Sequence, residues 1–358
     1  MTGIRLDAVT KRFGDTVVVR ELTLALESGE LVALLGPSGC GKTTTLRMIA
    51  GFEYPTRGSI YLAGQDVTAA APEHRNCGMV FQNYALFPHL TVEQNVAFGL
   101  EMRRTPRGEI RRRVGEIPEG LGLGVLKDGY PGQISVGQQQ RTALARALVT
   151  NPGALLLDEP LANLDAALRE EMRFYIRSLQ REFRITTLYV THDQSEALVL
   201  ADRIAILMNG ELQQFGTPLD VYYHPKTAAV ASFTGLTTLL PARIEGRSGD
   251  QYLLATRAGP LLARGLPGLA AGAEVMLSLR PEHLQLHAAM ADGDGCNRLC
   301  GVVRERTFAG SFIDYRVAVV GDVLLRIQAT TIASCQPGEA VCVGISPEAA
   351  WLVPRDSV

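Results

Sequence analysis

The sequence predicts an α/β protein. A wound, mostly parallel sheet with helices fills the first 235 residues or so, and a smaller β-rich barrel or sandwich follows. Three observations carry this. Leu31–Leu35 and residues 154–157 are short apolar runs bounded by turn residues, the pattern of strands buried on both faces. Amphipathic helical patterns lie between such runs, the longest over Ala166–Phe183. Lysine is absent beyond Lys226, and from about Gly235 short β-rich runs alternate with Gly, Pro and Asp.

Residues 17–26 alternate in polarity and predict a partly exposed antiparallel strand at the front of the domain. Leu31–Leu35 is the first buried parallel strand, and Lys42–Ala50 reads as a helix stopped by Gly51. An insertion spans roughly 83–147. Within it Thr91 caps a helix over Val92–Met102, with Glu93 in the first turn. Arg103, Arg104, Arg107 and Arg111 to Arg113 form a basic run, read as a solvated helix face, and Gly115 and Pro118 are expected to interrupt the helix that follows. Further strands are expected at 154–157, 185–190 and 204–208, with helices over Ala166–Phe183 and 194–201. In the C-terminal part, strands are expected at 252–254, 275–279, 299–303, 315–320, 323–327 and Ala340–Ile345.

A net charge of −2 gives no global basic field for nucleic acid. No apolar run reaches the roughly 18 to 20 residues that cross a bilayer, and Met1 to Asp7 lack the basic-then-apolar layout of a signal peptide. A cytoplasmic chain that reaches membranes through partners is expected. The six cysteines are therefore expected to be reduced. Cys296 and Cys300 form a C-x3-C pair with no second Cys or His pair, so a metal role is not favoured.

Gly36-Pro-Ser-Gly-Cys-Gly-Lys-Thr43 lies between a predicted strand and helix and fits a phosphate-binding loop. Its glycines let backbone N–H groups turn inward, Lys42 brings charge to the β and γ oxygens, and Thr43 offers a hydroxyl to Mg²⁺. Cys40 lies within this loop, so alkylation or oxidation there is expected to block nucleotide binding. Asp158 and Glu159 end the buried strand at 154–157. One carboxylate suits Mg²⁺ and the next suits the attacking water.

Between these segments lies Ile134-Ser-Val-Gly-Gln-Gln-Gln-Arg141, a polar turn feeding a helix. Together the three resemble the nucleotide-binding subunit of an ATP-binding-cassette (ABC) transporter, whose signature usually reads Leu-Ser-Gly-Gly-Gln. The resemblance implies a P-loop NTPase cassette, a RecA-like core with a helical subdomain, over 1–235. It also implies a C-terminal β-rich, OB-like accessory domain of TOBE type over 236–358. The second part rests on Gly216-Thr-Pro-Leu-Asp-Val-Tyr-Tyr-His-Pro225 and Ser278-Leu-Arg-Pro-Glu-His-Leu284, where Arg280 and Glu282 are read as a surface ion pair.

By the same resemblance Phe13 stacks on adenine. Gly36, Pro37, Ser38, Gly39, Cys40, Gly41, Lys42, Thr43 and Thr44 hold the phosphates. Thr43, Gln82 and Asp158 serve Mg²⁺, while Glu159, His192 and Gln82 act in hydrolysis. Asp165 lies in the loop that crosses the dimer interface. Ser135, Val136, Gly137 and Gln138 serve the ATP held by a second copy, which requires a head-to-tail homodimer.

Val136 replaces a glycine. A positive φ there would cost a β-branched residue about 1–2 kcal/mol; a negative φ would let valine fit and only crowd the partner's phosphates. The implied assembly is a peripheral ATPase on the cytoplasmic face of the cell membrane. Its partners are two permease subunits and, indirectly, a periplasmic solute-binding protein, with no nucleic acid. Phe183 to Ala197 and Gln133-Ile-Ser135 resemble the ferric-iron branch of these importers, so iron is the expected solute, with polyamine, phosphonate or sugar as alternatives. A non-transport ABC ATPase or an ATP-binding regulatory protein is the remote alternative.

Overall fold

The computed structural model describes residues 2–120, 122–288, 297–331 and 335–355. The chain divides into two compact units, Met1–Pro218 and Leu219–Val358.

The first unit opens with a hairpin of β1 (Thr2–Phe13) and β2 (Thr16–Glu27), followed by β3 (Leu31–Leu35) and α1 (Lys42–Ala50). Gly51 ends α1 in a left-handed cap at φ 89°. β4 (Arg57–Leu62), β5 (Gln65–Asp66) and β6 (Cys77–Val80) lead into a helical insertion of α2 (Val92–Met102), α3 (Arg107–Gly120) and α4 (Val136–Leu148). The chain returns through β7 (Ala154–Asp158), α5 (Ala166–Phe183), β8 (Thr186–Thr191), α6 (Gln194–Leu200), β9 (Arg203–Met208) and β10 (Glu211–Gly216).

The sheet that places the site runs β10-β9-β3-β8-β7-β6. It is parallel except for the β9–β10 edge pair. β3, β7 and β8 are buried at every position, which is why they read as continuous apolar runs. A second, antiparallel sheet, β2-β1-β4-β5, supplies the front. β1 was not legible because register shifts between Leu6 and Val9 and again before Lys11 break its two-residue alternation.

In the insertion, Thr91 caps α2 as expected and Gln94 closes the capping box. The expected interruption does not occur: α3 runs through Gly115 and Pro118 to Gly120. A proline two residues before the helix ends removes one backbone bond near a frayed terminus, where few bonds remain to be lost.

The second unit begins with α7 (Pro218–Tyr223) and α8 (Ala228–Thr234). Then come β11 (Thr238–Ser248), β12 (Gln251–Thr256), β13 (Gly259–Gly265), β14 (Glu274–Leu279) and β15 (Leu284–Ala288). β16 (Asn297–Phe308), β17 (Ile313–Val319), β18 (Val323–Ala329), β19 (Ala340–Ile345) and β20 (Ala350–Pro354) complete it. β11-β12-β13-β20-β14 close into a barrel, and β15-β19-β16-β17-β18 form a five-stranded sheet. Leu240, Leu254, Leu277, Val317, Ile327 and Leu352 belong to one core beneath both. β11 was hidden by Pro241, a residue that argues against a strand interior.

Two expectations are corrected here. Cys300 and Cys342 are not reduced but joined in a disulfide, with Cα atoms 4.0 Å apart. They face each other across β16 and β19, a pairing that linear spacing conceals. Cys296 lies outside the described residues. Arg280 is not a surface ion-pair member: it is buried and donates to Leu236 O at 3.1 Å, Tyr222 O at 3.0 Å and Thr234 Oγ1 at 2.8 Å. Glu282 instead accepts from the Tyr222 hydroxyl at 2.5 Å.

Candidate active site

β3 delivers the chain to Gly36 deep in the unit. A Cβ on Gly36 would lie 2.1 Å from Leu207 O of β9, so no side chain fits. Gly41 has φ 104°, and a Cβ there would meet Val18 O at 2.8 Å. Gly41 also caps α1 without a side-chain acceptor, leaving the first-turn N–H groups available to an anion. Lys42 is 5% exposed, and its ammonium donates to Gly36 O at 2.7 Å and Pro37 O at 2.9 Å. The loop thus holds a buried cation against its own carbonyls, ready to exchange them for phosphate oxygens. Cys40 is buried beside it, with Sγ 4.0 Å from Nζ. Burial pushes the thiol pKa up despite the ammonium, which disfavours the thiolate that alkylation requires.

Thr43 donates to Asp158 Oδ1 at 3.1 Å, which joins the phosphate loop to the end of β7. Burial raises the Asp158 pKa, and the neighbouring Glu159 charge adds to this, while the Thr43 hydroxyl and the Arg47 and Lys42 charges oppose it. Thr43 and Asp158 present hard oxygen ligands side by side. That donor set fits Mg²⁺, which takes one or two protein oxygens and completes its shell with phosphate and water. When bound, Mg²⁺ neutralises charge on the phosphate oxygens.

The raised Asp158 pKa has a testable consequence. The folded state binds this proton more tightly than the unfolded chain. Nucleotide-free stability is therefore lost as pH rises from the ordinary carboxylate range through the folded pKa, and stays lower above it. Asp158→Asn keeps an acceptor for Thr43 without the charge. Calorimetry at neutral pH should show a higher Tm for the nucleotide-free variant, and no further gain when Mg²⁺ is added with ATP.

Glu159 follows with φ 44°, an uncommon backbone for a non-glycine residue. Its N–H donates to Val190 O of β8 at 3.0 Å, which holds that conformation. The carboxylate lies 3.1 Å from His192 Nδ1. His192, 56% exposed, leaves the sheet at the end of β8. Beneath it Glu196 is buried and accepts from Thr191 Oγ1 at 2.7 Å and Tyr189 OH at 2.9 Å. Burial raises the Glu196 pKa against the pull of both hydroxyls. Asp193 caps α6 and pairs with Arg173 at 3.4 Å. Sequence reasoning missed Glu196; its signal was an acid on the inward face of a short helix, buried together with Ala197 and Leu200.

The remaining expected residues occupy other places. Phe13 ends β1, 47% exposed, with the Lys11 ammonium 4.6 Å over its ring. Pro37, Ser38 and Gly39 lie in the loop, and Thr44 is in the first turn of α1. Gln82 is exposed, and its backbone carbonyl accepts from Asn163 Nδ2 at 2.9 Å. This links the Gln82 loop to the loop holding Asp165. Asp165 itself accepts from Leu168 N at 3.0 Å as the N-cap of α5.

Ser135 caps α4 in a reciprocal box with Gln138. Val136 is the first residue of that helix, 43% exposed, and is not among the residues with positive φ. Of the two cases left open for it, the backbone has the one in which valine fits. Gly137 packs tightly: a Cβ there would meet Leu168 Cδ2 of α5 at 2.9 Å.

Sequence reasoning also missed three loop-holding residues. Arg146 of α4 donates to Tyr84 O at 2.7 Å and Ala85 O at 2.6 Å, fixing the turn after Gln82. Asn95, fully buried, ties Phe87 and Leu90 to α2. Arg75 donates to Met48 O and Ile49 O at the C-terminal end of α1.

Comparison with known proteins agrees with this geometry. Residues 19–162 match the ABC transporter family and residues 277–353 the TOBE domain. The spermidine/putrescine import ATP-binding protein of Acidothermus cellulolyticus is 51% identical over 322 residues, 88% of this chain and 84% of that protein. That of Thermobifida fusca is 43% identical, covering 98% and 93%. An Fe(3+) ions import ATP-binding protein of Pectobacterium atrosepticum is 42% identical, covering 96% and 95%. Among solved structures, the dimeric post-hydrolysis state of the ATP-binding cassette MJ0796, bound to ADP and Pi, superposes with a TM-score of 0.54 at 32% identity, covering 60% of this chain and 98% of that one. With the phosphate loop, the paired carboxylates and the closed β-barrel in place, the chain belongs to the ATP-binding subunits of ABC importers that carry a C-terminal TOBE domain, and is an ATPase coupled to transport.

Proposed function

We propose that the chain powers a polyamine importer, as a homodimer seated against two permease subunits on the cytoplasmic face of the membrane and fed by a periplasmic solute-binding protein. The observation that carries the ATPase chemistry is the bonded series Lys42, Thr43, Asp158, Glu159 and His192 around one phosphate loop. Lys42 neutralises phosphate charge. Glu159 accepts the proton of the attacking water. His192 donates Nδ1–H to Glu159, which leaves Nε2 to meet a phosphate oxygen when the ring is protonated. The capped N-terminus of α4, with Ser135 and Gly137, supplies the anion-binding end for ATP held by the second copy. No helix among the described residues is long and apolar enough to cross a membrane, so the solute path is assigned to other chains.

Polyamine is preferred to ferric iron because relatives named for spermidine/putrescine import outnumber the iron-named one among those compared. This replaces the iron reading drawn from Phe183 to Ala197. An ATP-binding regulator is disfavoured, since a pure binder has no use for the Glu159–His192 pair. The two compact units support separate ATP-binding and accessory domains. The test is uptake into proteoliposomes containing this chain and the permease proteins encoded beside it, with the neighbouring solute-binding protein supplied on the substrate side. ATP-driven accumulation of spermidine or putrescine, with none of Fe³⁺, is expected; the reverse pattern restores the iron reading.

Val136 tests the dimer. With its backbone already suited to valine, Val136→Gly should leave Tm within about 2 °C, since an exposed helix-end glycine costs only tenths of a kcal/mol. It should raise turnover several-fold by clearing space at the partner's phosphates. An unchanged rate removes the crowding.

A further inference from the structure

The basic run read as a solvated face has a specific arrangement on α3. At about 100° per residue, Arg107, Gly108, Arg111, Arg112 and Gly115 share one face, while Val114 is buried against the insertion. Arg104 lies three residues before the helix in a left-handed turn at φ 54°, two residues after Met102, which ends α2 and is 66% exposed. Glu109 pairs with Arg113 and Glu116 with Arg112, and Glu119 falls by its spacing on the same face near the end of the helix, away from Arg104 and Arg107 along the axis. Arg104, Arg107 and Arg111 have no carboxylate partner among the described residues.

The two glycines are the second observation. A Cβ on Gly108 or Gly115 would meet nothing within 4 Å, and neither has a positive φ. Packing and backbone conformation therefore require neither, and each weakens the helix relative to alanine. Their effect is on shape. Nothing projects between the arginines, so three or four guanidinium forks can reach one flat surface together. A flat, laterally extended array of phosphates suits those forks through bidentate contacts. An exposed methionine at its border adds an apolar foothold at a headgroup boundary. The chain as a whole carries −2, so this field is local.

We propose that this face of α3 docks on anionic phospholipid headgroups of the membrane that holds the permeases. The proposal rests on the importer reading above for the presence of a bilayer, but its test is independent of transport. The full chain is floated with vesicles of phosphatidylcholine alone or mixed with phosphatidylglycerol. Binding should need phosphatidylglycerol and fall with added salt. Each basic residue near an anionic surface strengthens partitioning about fivefold. The triple variant Arg104→Ser, Arg107→Ser, Arg111→Ser should therefore weaken binding on the order of 100-fold.

A second variant, Gly108→Glu with Gly115→Glu, leaves every arginine in place and enters open space. It should lose binding as well, with ATP binding retained as the sign of an intact fold. Equal binding to neutral vesicles overturns the proposal, as does unchanged binding by either variant. So does preferential capture of an RNA oligonucleotide at equal phosphate concentration. Failed flotation with intact ATP-driven uptake removes the lipid contact and leaves the importer standing; flotation without uptake of any solute does the opposite.

Discussion

Glu159→Gln should lower ATP turnover by about 10²- to 10⁴-fold, the range of a positioned general base, while nucleotide affinity changes little. The amide keeps the volume of the carboxylate and can still face His192 Nδ1, 3.1 Å away in the native site. The backbone at φ 44° is held by the N–H bond to Val190 O, which the substitution leaves intact. What is lost is the ability to take a proton. Two measurements separate this from a structural defect. Equilibrium binding of ATP should remain within a few-fold of the parent, and gel filtration with ATP should show a longer-lived dimer, because hydrolysis no longer reopens it. Wild-type turnover in the variant would move the base to another residue, with Asp158 first in line. His192→Ala should give a smaller loss, since its contribution is to orient Glu159 and to meet one oxygen.

Legibility in the sequence followed how far each feature depends on local chemistry. α5 could be read to its terminal residues because its amphipathic period is local. β3 and β7 were visible as apolar runs because a parallel sheet buries both their faces. The phosphate loop was legible for a related reason: the tight approach of Gly36 to Leu207 O leaves room for glycine alone, so steric necessity is written into residue type. The hidden features depend on pairing across distance. Bulges in β1, Pro241 in β11 and the Cys300–Cys342 bond each require knowing which strand lies opposite. The struts of the site share that property. Arg146, Arg75 and Glu196 act on carbonyls and hydroxyls that only the folded chain brings to them, and Arg146 bonds to residues more than sixty positions away.

Arg280 is the extreme case, and Arg280→Ala should have the largest effect on stability in the second unit. The residue is 3% exposed, and its two terminal nitrogens donate to Leu236 O, Tyr222 O and the Thr234 hydroxyl, while the guanidinium carbon lies 4.2 Å from the centre of the Tyr222 ring. These contacts tie α7, α8 and the start of the barrel to the turn after β14. Alanine would leave two part-buried carbonyls and the buried Thr234 hydroxyl without their donors, and a void beside Tyr222. Each orphaned group costs about 1–3 kcal/mol and the lost packing adds to it, so a total of about 3–5 kcal/mol is expected.

That is a large share of the stability of a domain this size. Limited proteolysis should therefore cut the variant within 219–358 at temperatures the parent withstands, while ATP binding by the first unit persists. Arg280→Lys should recover only part of the loss. An ammonium keeps the charge but cannot span three acceptors with a planar fork or stack on tyrosine. If lysine restored full stability, charge alone would suffice. If alanine cost under about 1 kcal/mol, Arg280 would be the weak surface-type ion pair that its sequence context first suggested.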